Sequence, residues 1–459
     1  MYTEASLRWL EVVLAERFGH AFQLSFSSGR MEMRLKDRQG MITFDSPDPA
    51  FHQSRSDFPC FQWLPTKEGF EAPDARSLPA PASHPLTAPL VELATEEAVV
   101  HYDVLGLMIW MLTRQEEIGR TDLDEHQRFP ATSSHAYRHG YLERPIVDEW
   151  LAVLGQIIGR VWPDIALKRH RFSVKVSHDV DRPARYGFQN FAGLIRTLGG
   201  DVLVRGDMKS AIMAPFLWLN SRRTHEIQRE DPFNTFSWLM DQSEKYGLTS
   251  AFYFICGRTD PGKDALYDPE MPQIRQLIRA IHSRGHEIGL HPSYNTYNRP
   301  AEIAREAERL RRVCAEEGVT QREWGGRMHF LRWDQATTLR AWNDAGMTYD
   351  STMSYADRPG FRCGTCFEYP AFDVVEQQAM GIRIRPLIAM DCTVIAKRYL
   401  GLGSTEAAFQ KFNALKDECR KVGGTFTLLW HNSYFGSEQD FRIYSRLLSD
   451  EPAALRKKN

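Results

Sequence analysis

From residue 170 onward, short apolar runs that are typical of β-strands alternate with amphipathic stretches that are typical of helices. Strands that alternate with helices favour a parallel sheet, so we expect an α/β barrel or a doubly wound sheet. The strand-like runs are Phe172–Val176, Ser250–Ile255, Glu287–Leu290, Thr348–Ser351, Ile382–Arg385 and Thr425–Trp430. The helix-like stretches are Phe236–Tyr246, Met271–Ser283, Pro300–Glu317, Trp333–Ala345 and Thr405–Val422.

The first part of the chain has a different pattern and contains no catalytic constellation. Helical spacing of apolar residues predicts helices over Glu4–Phe18, Val104–Arg114 and Ile146–Val161. Between the first two, residues 45–89 are rich in proline, serine and histidine, which predicts an irregular or extended segment. We therefore expect a small α+β domain over residues 1–165, then a larger α/β domain over residues 166–459 with an insertion around residues 182–232.

Polar residues follow the strand-like runs of the second part, where parallel strands would bring them to one rim. The candidates are Asp179 and Asp181 after the first run, His291 after the third, Arg327 before the Trp333 helix, Asp350 in the fourth and His431 after the last. Singly, these are weak signals, because Asp-x-Asp also occurs in solvated turns and helix N-caps, and either histidine would suit a core. Together they would supply oxygen and nitrogen ligands for a divalent metal, plus an acid and a base.

These motifs resemble the NodB-like polysaccharide deacetylases, which form carbohydrate esterase family four. The resemblance covers residues 170–435 and lies, in order, in SHDVD, LTSAFYFICG, GHEIGLHPSYN, GGRMHF, YDST and LLWHN. It implies a distorted (β/α) barrel and a metal-dependent deacetylase. Residues 1–165 look similar to a domain found before bacterial surface-glycan deacetylases, on the phrases MLTRQEE, EHQRF and RPIVDEW.

The resemblance also implies roles for individual residues. Asp179 would be the general base, aimed by Arg327, and His431 would be the general acid, paired with Asp350. Asp181, His291 and Asn295 would hold the metal, for which zinc is expected. Asn295 stands where the family has a second histidine, and because an amide oxygen is a weak zinc ligand, His178 or His329 could complete the site instead.

Further residues would surround the substrate. Ser293 and Tyr294 follow His291 and would shape the pocket, a backbone N–H near Phe330 would stabilise the oxyanion, and Phe361 and Arg362 would contact the sugar. The insertion around residues 182–232 mixes basic residues with the apolar run AIMAPFLWLN. It predicts either a lid, a surface for a lipid-linked or phosphate-bearing sugar, or simply extra helices packed on the barrel.

Composition excludes several other classes of protein. With 57 basic and 59 acidic residues, the chain gives no electrostatic reason to expect nucleic acid as a partner. The longest uncharged apolar run is too short for a transmembrane helix. The first 20 residues include Glu4 and Glu11 and lack the apolar run of a secretory signal, and the chain has only seven cysteines, so we expect a cytoplasmic protein.

The sequence thus predicts a metal-dependent enzyme that removes an N-acetyl group from a sugar or glycan precursor for bacterial surface polysaccharide. Two alternatives remain open. One is a glycan-binding protein of the same fold that has lost catalysis, which Asn295 suggests. The other is a hydrolase that acts on a C–N bond or an O-acetyl ester of a different small substrate.

Overall fold

The computed structural model describes residues 2–449, so the last ten residues of the predicted second domain lie outside the described residues. The strands form a five-stranded sheet near the N-terminus, a nine-stranded sheet after it and a separate two-stranded ladder, β4–β5. The strands are β1 Phe22–Ser27, β2 Arg30–Leu35, β3 Met41–Phe44, β4 Cys60–Trp63, β5 Leu78–Pro81, β6 Val91–Ala94, β7 Glu97–Val100, β8 Ser173–Val180, β9 Ser250–Ile255, β10 Glu287–His291, β11 Gly325–Gly326, β12 Tyr349–Asp350, β13 Tyr369–Asp373, β14 Gln378–Ile384, β15 Ala389–Met390 and β16 Thr425–Leu429.

Thirteen α-helices occur in the described residues, and three of them match the helices predicted for the first part of the chain. The helices are α1 Glu4–Phe18, α2 Val104–Leu112, α3 His135–Arg138, α4 Ile146–Val161, α5 Phe191–Gly200, α6 Met208–Thr224, α7 Phe236–Lys245, α8 Pro272–Ser283, α9 Pro300–Glu316, α10 Thr338–Asp344, α11 Asp391–Ile395, α12 Glu406–Lys421 and α13 Glu438–Leu448. No helix between residues 2 and 449 is long and apolar enough to cross a membrane.

The nine-stranded sheet has the order β13-β14-β12-β11-β10-β9-β8-β16-β15. Every ladder in it is parallel except β13–β14, which is an antiparallel hairpin at one edge. Within the described residues no ladder joins β13 to β15, so of the distorted (β/α) barrel that we predicted the structure shows a large, mainly parallel sheet without closure. The hairpin at one edge and the two-residue β15 at the other leave little backbone that could pair across a closure.

Strand β8, which lies inside the nine-stranded sheet, contributes side chains both to the core and to a candidate site. Successive side chains of a strand point to opposite faces, so Ser177 and Asp179 share a face while His178 points to the other. His178 packs on Phe252 and Tyr444 on the helix-covered face. Asp179 lies at the carboxyl end of β8, at the edge where the adjacent strand β16 and the next strand but one, β10, also finish.

The two sheets belong to one hydrophobic core, which contains residues from both parts of the chain. A buried ion-pair network joins them, because Glu117 accepts hydrogen bonds from Arg114 of its own segment and from Arg362 of the later one. The indole of Trp9 in α1 also donates to the carbonyl of Pro370 in β13. The first part of the chain therefore packs as a structural partner of the nine-stranded sheet.

Candidate metal centre

Three side chains could hold a metal ion at the carboxyl end of the parallel strands. Asp181, His291 and His329 each offer a ligand atom, and these atoms all lie within 4.8 Å of one another. Asp181 Oδ1 is 3.3 Å from His291 Nε2 and 3.8 Å from His329 Nε2. Two imidazoles with one carboxylate are a donor set typical of catalytic zinc sites.

Both histidines are oriented by hydrogen bonds to their other ring nitrogen. His291 Nδ1 donates to the carbonyl oxygen of Arg327 at 2.6 Å, and His329 Nδ1 donates to Asp264 Oδ1 at 3.1 Å. In each ring Nε2 is thus left facing Asp181, the arrangement that orients histidine ligands in metal sites. The Oδ1 atom of Asp181 is buried and accepts no hydrogen bond in the described part of the chain. An oxygen in this state is suited to bind a cation.

The charges of this cluster are strongly coupled. Burial would raise the pKa of Asp181, but the imidazoles of His329, His291 and His431 hold it well below its usual value. Burial would lower the pKa of His291, but the carboxylates of Asp179 and Asp181 raise it. The residues therefore converge as a cluster of negative and ionisable groups that a divalent cation would suit.

Asp179 lies beside the cluster and is held by an arginine. Arg327 Nη1 donates to Asp179 Oδ1 at 2.7 Å, while Asp179 Oδ2 is 3.7 Å from His291 Nε2. Arg327 is itself fixed by Ser177 Oγ and by the carbonyl of Ser351, and both Asp179 and Arg327 are buried. One oxygen of Asp179 is thus anchored and the other faces the cluster, while its role as a base stays a prediction.

His431 follows β16, which pairs with β8, and its Nε2 lies 3.7 Å from Asp181 Oδ2. Its Nδ1 donates to Asp391 Oδ1 at 2.8 Å, and Asp391 Oδ2 accepts from the His431 backbone N–H. Burial would lower the pKa of His431, but Asp391, Asp181 and Asp179 raise it to about 10. An imidazole of this kind is protonated at neutral pH and can donate a proton.

The partner of His431 differs from the residue that we predicted, because the structure pairs this histidine with Asp391 and not with Asp350. Asp350 ends β12, and its carboxylate accepts hydrogen bonds from the backbone N–H and the hydroxyl of Thr352. Asp391 follows β15, which pairs directly with β16, the strand that leads to His431. Burial raises the pKa of Asp350 to about 6, although Thr352 and Arg327 oppose the rise.

Asn295 and His178 are not part of the cluster. The Asn295 amide donates to the carbonyl of Thr259 at 3.1 Å, and its Oδ1 accepts from Arg332 Nη1 at 3.1 Å. His178 uses Nδ1 for the carbonyl of Trp430, and its Nε2 lies 3.3 Å from the Ser250 hydroxyl. Of the three candidates for the third ligand, only His329 lies in the cluster.

The predicted substrate-binding residues separate into two groups. Phe330 borders the cluster. The ring of Tyr294 packs edge-on against the Phe330 ring, with 5.1 Å between the ring centroids, and its hydroxyl contacts His126. Ser293 is buried and donates instead to Glu306. The remaining two residues, Phe361 and Arg362, lie in the buried contact with the first part of the chain.

A small cavity of about 90 Å³ opens beside the cluster. Its polar lining combines residues of the cluster described above with Arg128, Arg398 and Tyr399, and its apolar lining includes Leu331, Ala356 and Met390. Phe330 and Leu331 both adopt left-handed backbone conformations, with φ of 61° and 56°, which non-glycine residues rarely take and which concentrate at functional sites. The carbonyl of Phe330 is held by Arg128, which comes from the first part of the chain.

Two acidic residues that orient the site were missed at the level of sequence. Asp264 lies in a loop after β9, with no periodic pattern to mark it. Asp391 follows a strand of only two residues, although the short apolar run before it (LIAM) resembles the runs that precede the other site residues. In both cases the available signal is an acid close to an apolar run, which is common in any sequence.

Comparisons with known proteins match one family model and find similar solved structures. Residues 9–163 match a model of a family of unknown function, DUF7033. No curated protein matches the chain by sequence. Among solved structures, it is similar to a putative polysaccharide deacetylase from Mycobacterium smegmatis, with 18% identity and a TM-score of 0.37 over 62% of this chain and 84% of that one. It is also similar to Puue allantoinase, with 12% identity and a TM-score of 0.36 over 63% and 85%.

The fold and the site together define a mixed α/β protein with a large, mainly parallel sheet. The carboxyl end of that sheet carries a cluster able to hold a metal, a buried aspartate fixed by an arginine, and a histidine fixed by a second aspartate. The relationship of residues 1–165 to domains that precede surface-glycan deacetylases stays a prediction.

Proposed function

We propose that the protein is a metal-dependent hydrolase that removes the acetyl group from an N-acetylated sugar or glycan precursor. The observation that carries the proposal is the convergence of Asp181, His291 and His329 between a fixed carboxylate, Asp179, and a fixed imidazole, His431. The acetyl group and the sugar come from the resemblance of the motifs in residues 170–435 to NodB-like deacetylases. Zinc is the proposed metal, because imidazole nitrogens and a carboxylate suit it.

A divalent metal bound to Asp181, His291 and His329 would act as a Lewis acid on the acetyl carbonyl and lower the pKa of a water. Asp179 would accept a proton through Oδ2 as the oxygen of a water forms a bond to the acetyl carbon, while Arg327 keeps Oδ1 in place. His431 donates its Nε2 proton to the amine as the C–N bond breaks, and Asp391 keeps the imidazole cationic. Acetate and a free amino sugar are the products.

The cavity and the third ligand bear on the alternatives. The cavity of about 90 Å³ suits a small acyl group. The sugar would lie in an adjoining cavity of about 590 Å³ that also borders Asp181 and His329. The catalytically degenerate alternative was suggested by Asn295, and His329 supplies a nitrogen in its place. We therefore favour an enzyme over a binding protein. The alternative of a hydrolase that acts on an O-acetyl ester or on a different C–N bond is decided by the substrate test.

The test is the release of acetate from a panel of N-acetylated and O-acetylated sugars, with and without added zinc. We expect metal-dependent release that falls by about 10²–10⁴-fold in Asp179→Asn. Asp241→Asn, an exposed aspartate far along the chain from the site, is the matched control and should keep full activity. Absence of release from every substrate, in a protein that binds no metal, would contradict the proposal.

A further inference from the structure

The largest exposed apolar surface of the described chain lies on the segment between β8 and β9. Of fourteen large hydrophobic residues that are exposed between residues 2 and 449, nine lie between Phe191 and Leu219. We call this the insertion surface and define it by its six most exposed members, Phe191, Leu203, Met208, Ile212, Phe216 and Leu219, each more than half exposed. A patch of this kind marks an interaction site in soluble proteins.

Helix α6 is apolar on two faces, which a helix that only packs on its own protein does not need. Its buried face carries Ala211, Ala214 and Leu217, and the last two join a small core with Tyr186 and Leu194. Met208, Ile212, Phe216 and Leu219 follow the same helical spacing on the opposite side and stay exposed. The exposed face is therefore unpartnered in the described chain, while the other face anchors the helix.

Charges around the insertion surface are positive. Arg196, Lys209 and Arg223 are exposed on α5 and α6. The two acids within residues 191–224 are engaged locally, because Asp201 accepts from Arg185 and Tyr186, and Asp207 caps α6 through the N–H of Ser210. An exposed apolar stripe with basic neighbours is the pattern of a helix that lies in the plane of an anionic membrane surface.

We propose that the insertion surface docks on a lipid bilayer that carries anionic headgroups. A second copy of the chain fits less well, since a symmetric contact would bring the same cations together. The surface is also continuous with the candidate site: Gly193, Arg196 and Thr197 of α5 line a cavity of about 590 Å³ that also contacts Asp181 and His329. Docking would thus place the outer opening of that cavity at the membrane, whatever reaction the site performs.

The test is flotation of the full chain with vesicles of phosphatidylcholine alone or mixed with phosphatidylglycerol. We expect binding that is stronger on the mixed vesicles. Ile212→Ser combined with Phe216→Ser should weaken it by at least about tenfold on both kinds of vesicle, because two large apolar side chains no longer leave water. Lys209→Glu combined with Arg223→Glu should weaken it by at least about fivefold on mixed vesicles only.

Val12→Ser combined with Leu93→Ser is the matched control, since these apolar residues are exposed outside the insertion, and it should bind like the wild type. Asp179→Asn should also bind normally, which separates docking from catalysis. Wild-type protein that floats with neither kind of vesicle would overturn the proposal. So would a dimer, seen by light scattering, that the Ile212 and Phe216 substitutions disrupt while vesicle binding is absent, because the surface would then join two copies.

Discussion

At the scale of single residues, the third metal ligand can be assigned by experiment. We expect His329→Gln to weaken zinc binding by at least about 100-fold, because loss of a ligand should cost more than the 10–100-fold typical of the groups that orient ligands. Asn295→Ala should leave zinc affinity unchanged, since its amide already bonds Thr259 and Arg332. Titration against a competing chelator measures both. The opposite ranking would make Asn295 the ligand.

The partner of His431 can be tested by the pH dependence of activity. This histidine donates a proton only when it is charged, and although burial opposes the rise, Asp391 raises its pKa above the usual value, so kcat/KM is lost as pH rises through that raised pKa. Asp391→Asn removes the nearest negative charge and should move the alkaline loss of activity to lower pH by at least about one unit. Asp350→Asn is the comparison, and a shift in this variant alone would restore the pairing that the sequence predicted.

The sequence predicts the residues that follow the long strands, whereas after the very short strands it predicts Arg327 but not Asp391. Asp179, Asp181, His291 and His431 come directly from β8, β10 and β16, whose apolar runs are visible in the sequence. Asp391 comes after a strand of two residues, for which no periodicity can be recognised. His431 therefore received the wrong neighbour, Asp350, which also ends a strand but turns back on Thr352.

At the scale of elements, β11 reaches its place because it contains no side chains. A Cβ on Gly326 would lie 1.8 Å from the carbonyl oxygen of Leu290 in β10, and one on Gly325 would meet the Tyr349 ring of β12. Gly326→Ala should force β11 away from β10, lower the free energy of unfolding by about 1–3 kcal/mol, and reduce activity through Arg327. Gly159→Ala, in open space on α4, should leave activity unchanged and raise the free energy of unfolding by up to about 1 kcal/mol.

Helix α9 supports the loop after β10 through a buried carboxyl. Burial raises the pKa of Glu306 to about 7, although hydrogen bonds from Ser293 oppose the rise. Between its usual value of 4.5 and 7, the folded protein keeps a proton that the unfolded chain has released, so stability falls as pH rises. Glu306→Gln should remove this loss, which approaches about 3 kcal/mol above pH 7. Denaturant unfolding at several pH values measures it, and equal pH slopes in both proteins would contradict it.

The class of the fold could be predicted from the sequence, but the strands that decide whether the sheet closes into a barrel could not. Alternating runs and helices indicate the parallel strands β8, β9, β10 and β16 and hence an α/β sheet, because each run is long enough to be buried on both faces. Closure depends on β11, β12 and β15, each only two residues long, and on a hairpin, β13–β14, at the edge. Their pairing is fixed by tertiary packing, which the local sequence does not encode.

At the scale of the whole molecule, the two sheets should unfold together, because one core contains residues from both. Arg362→Met tests this, since it leaves Glu116 and Glu117 buried with Arg114 alone. Breaking a buried pair in this way should cost about 3–5 kcal/mol. We expect one unfolding transition, displaced to a lower denaturant concentration and coincident when followed by tryptophan fluorescence and by circular dichroism.

Arg8→Met, which breaks an exposed pair with Glu4, is the control and should leave the midpoint nearly unchanged. Two separate transitions would instead make residues 1–165 an independent folding unit, and the Arg362 network a contact between domains.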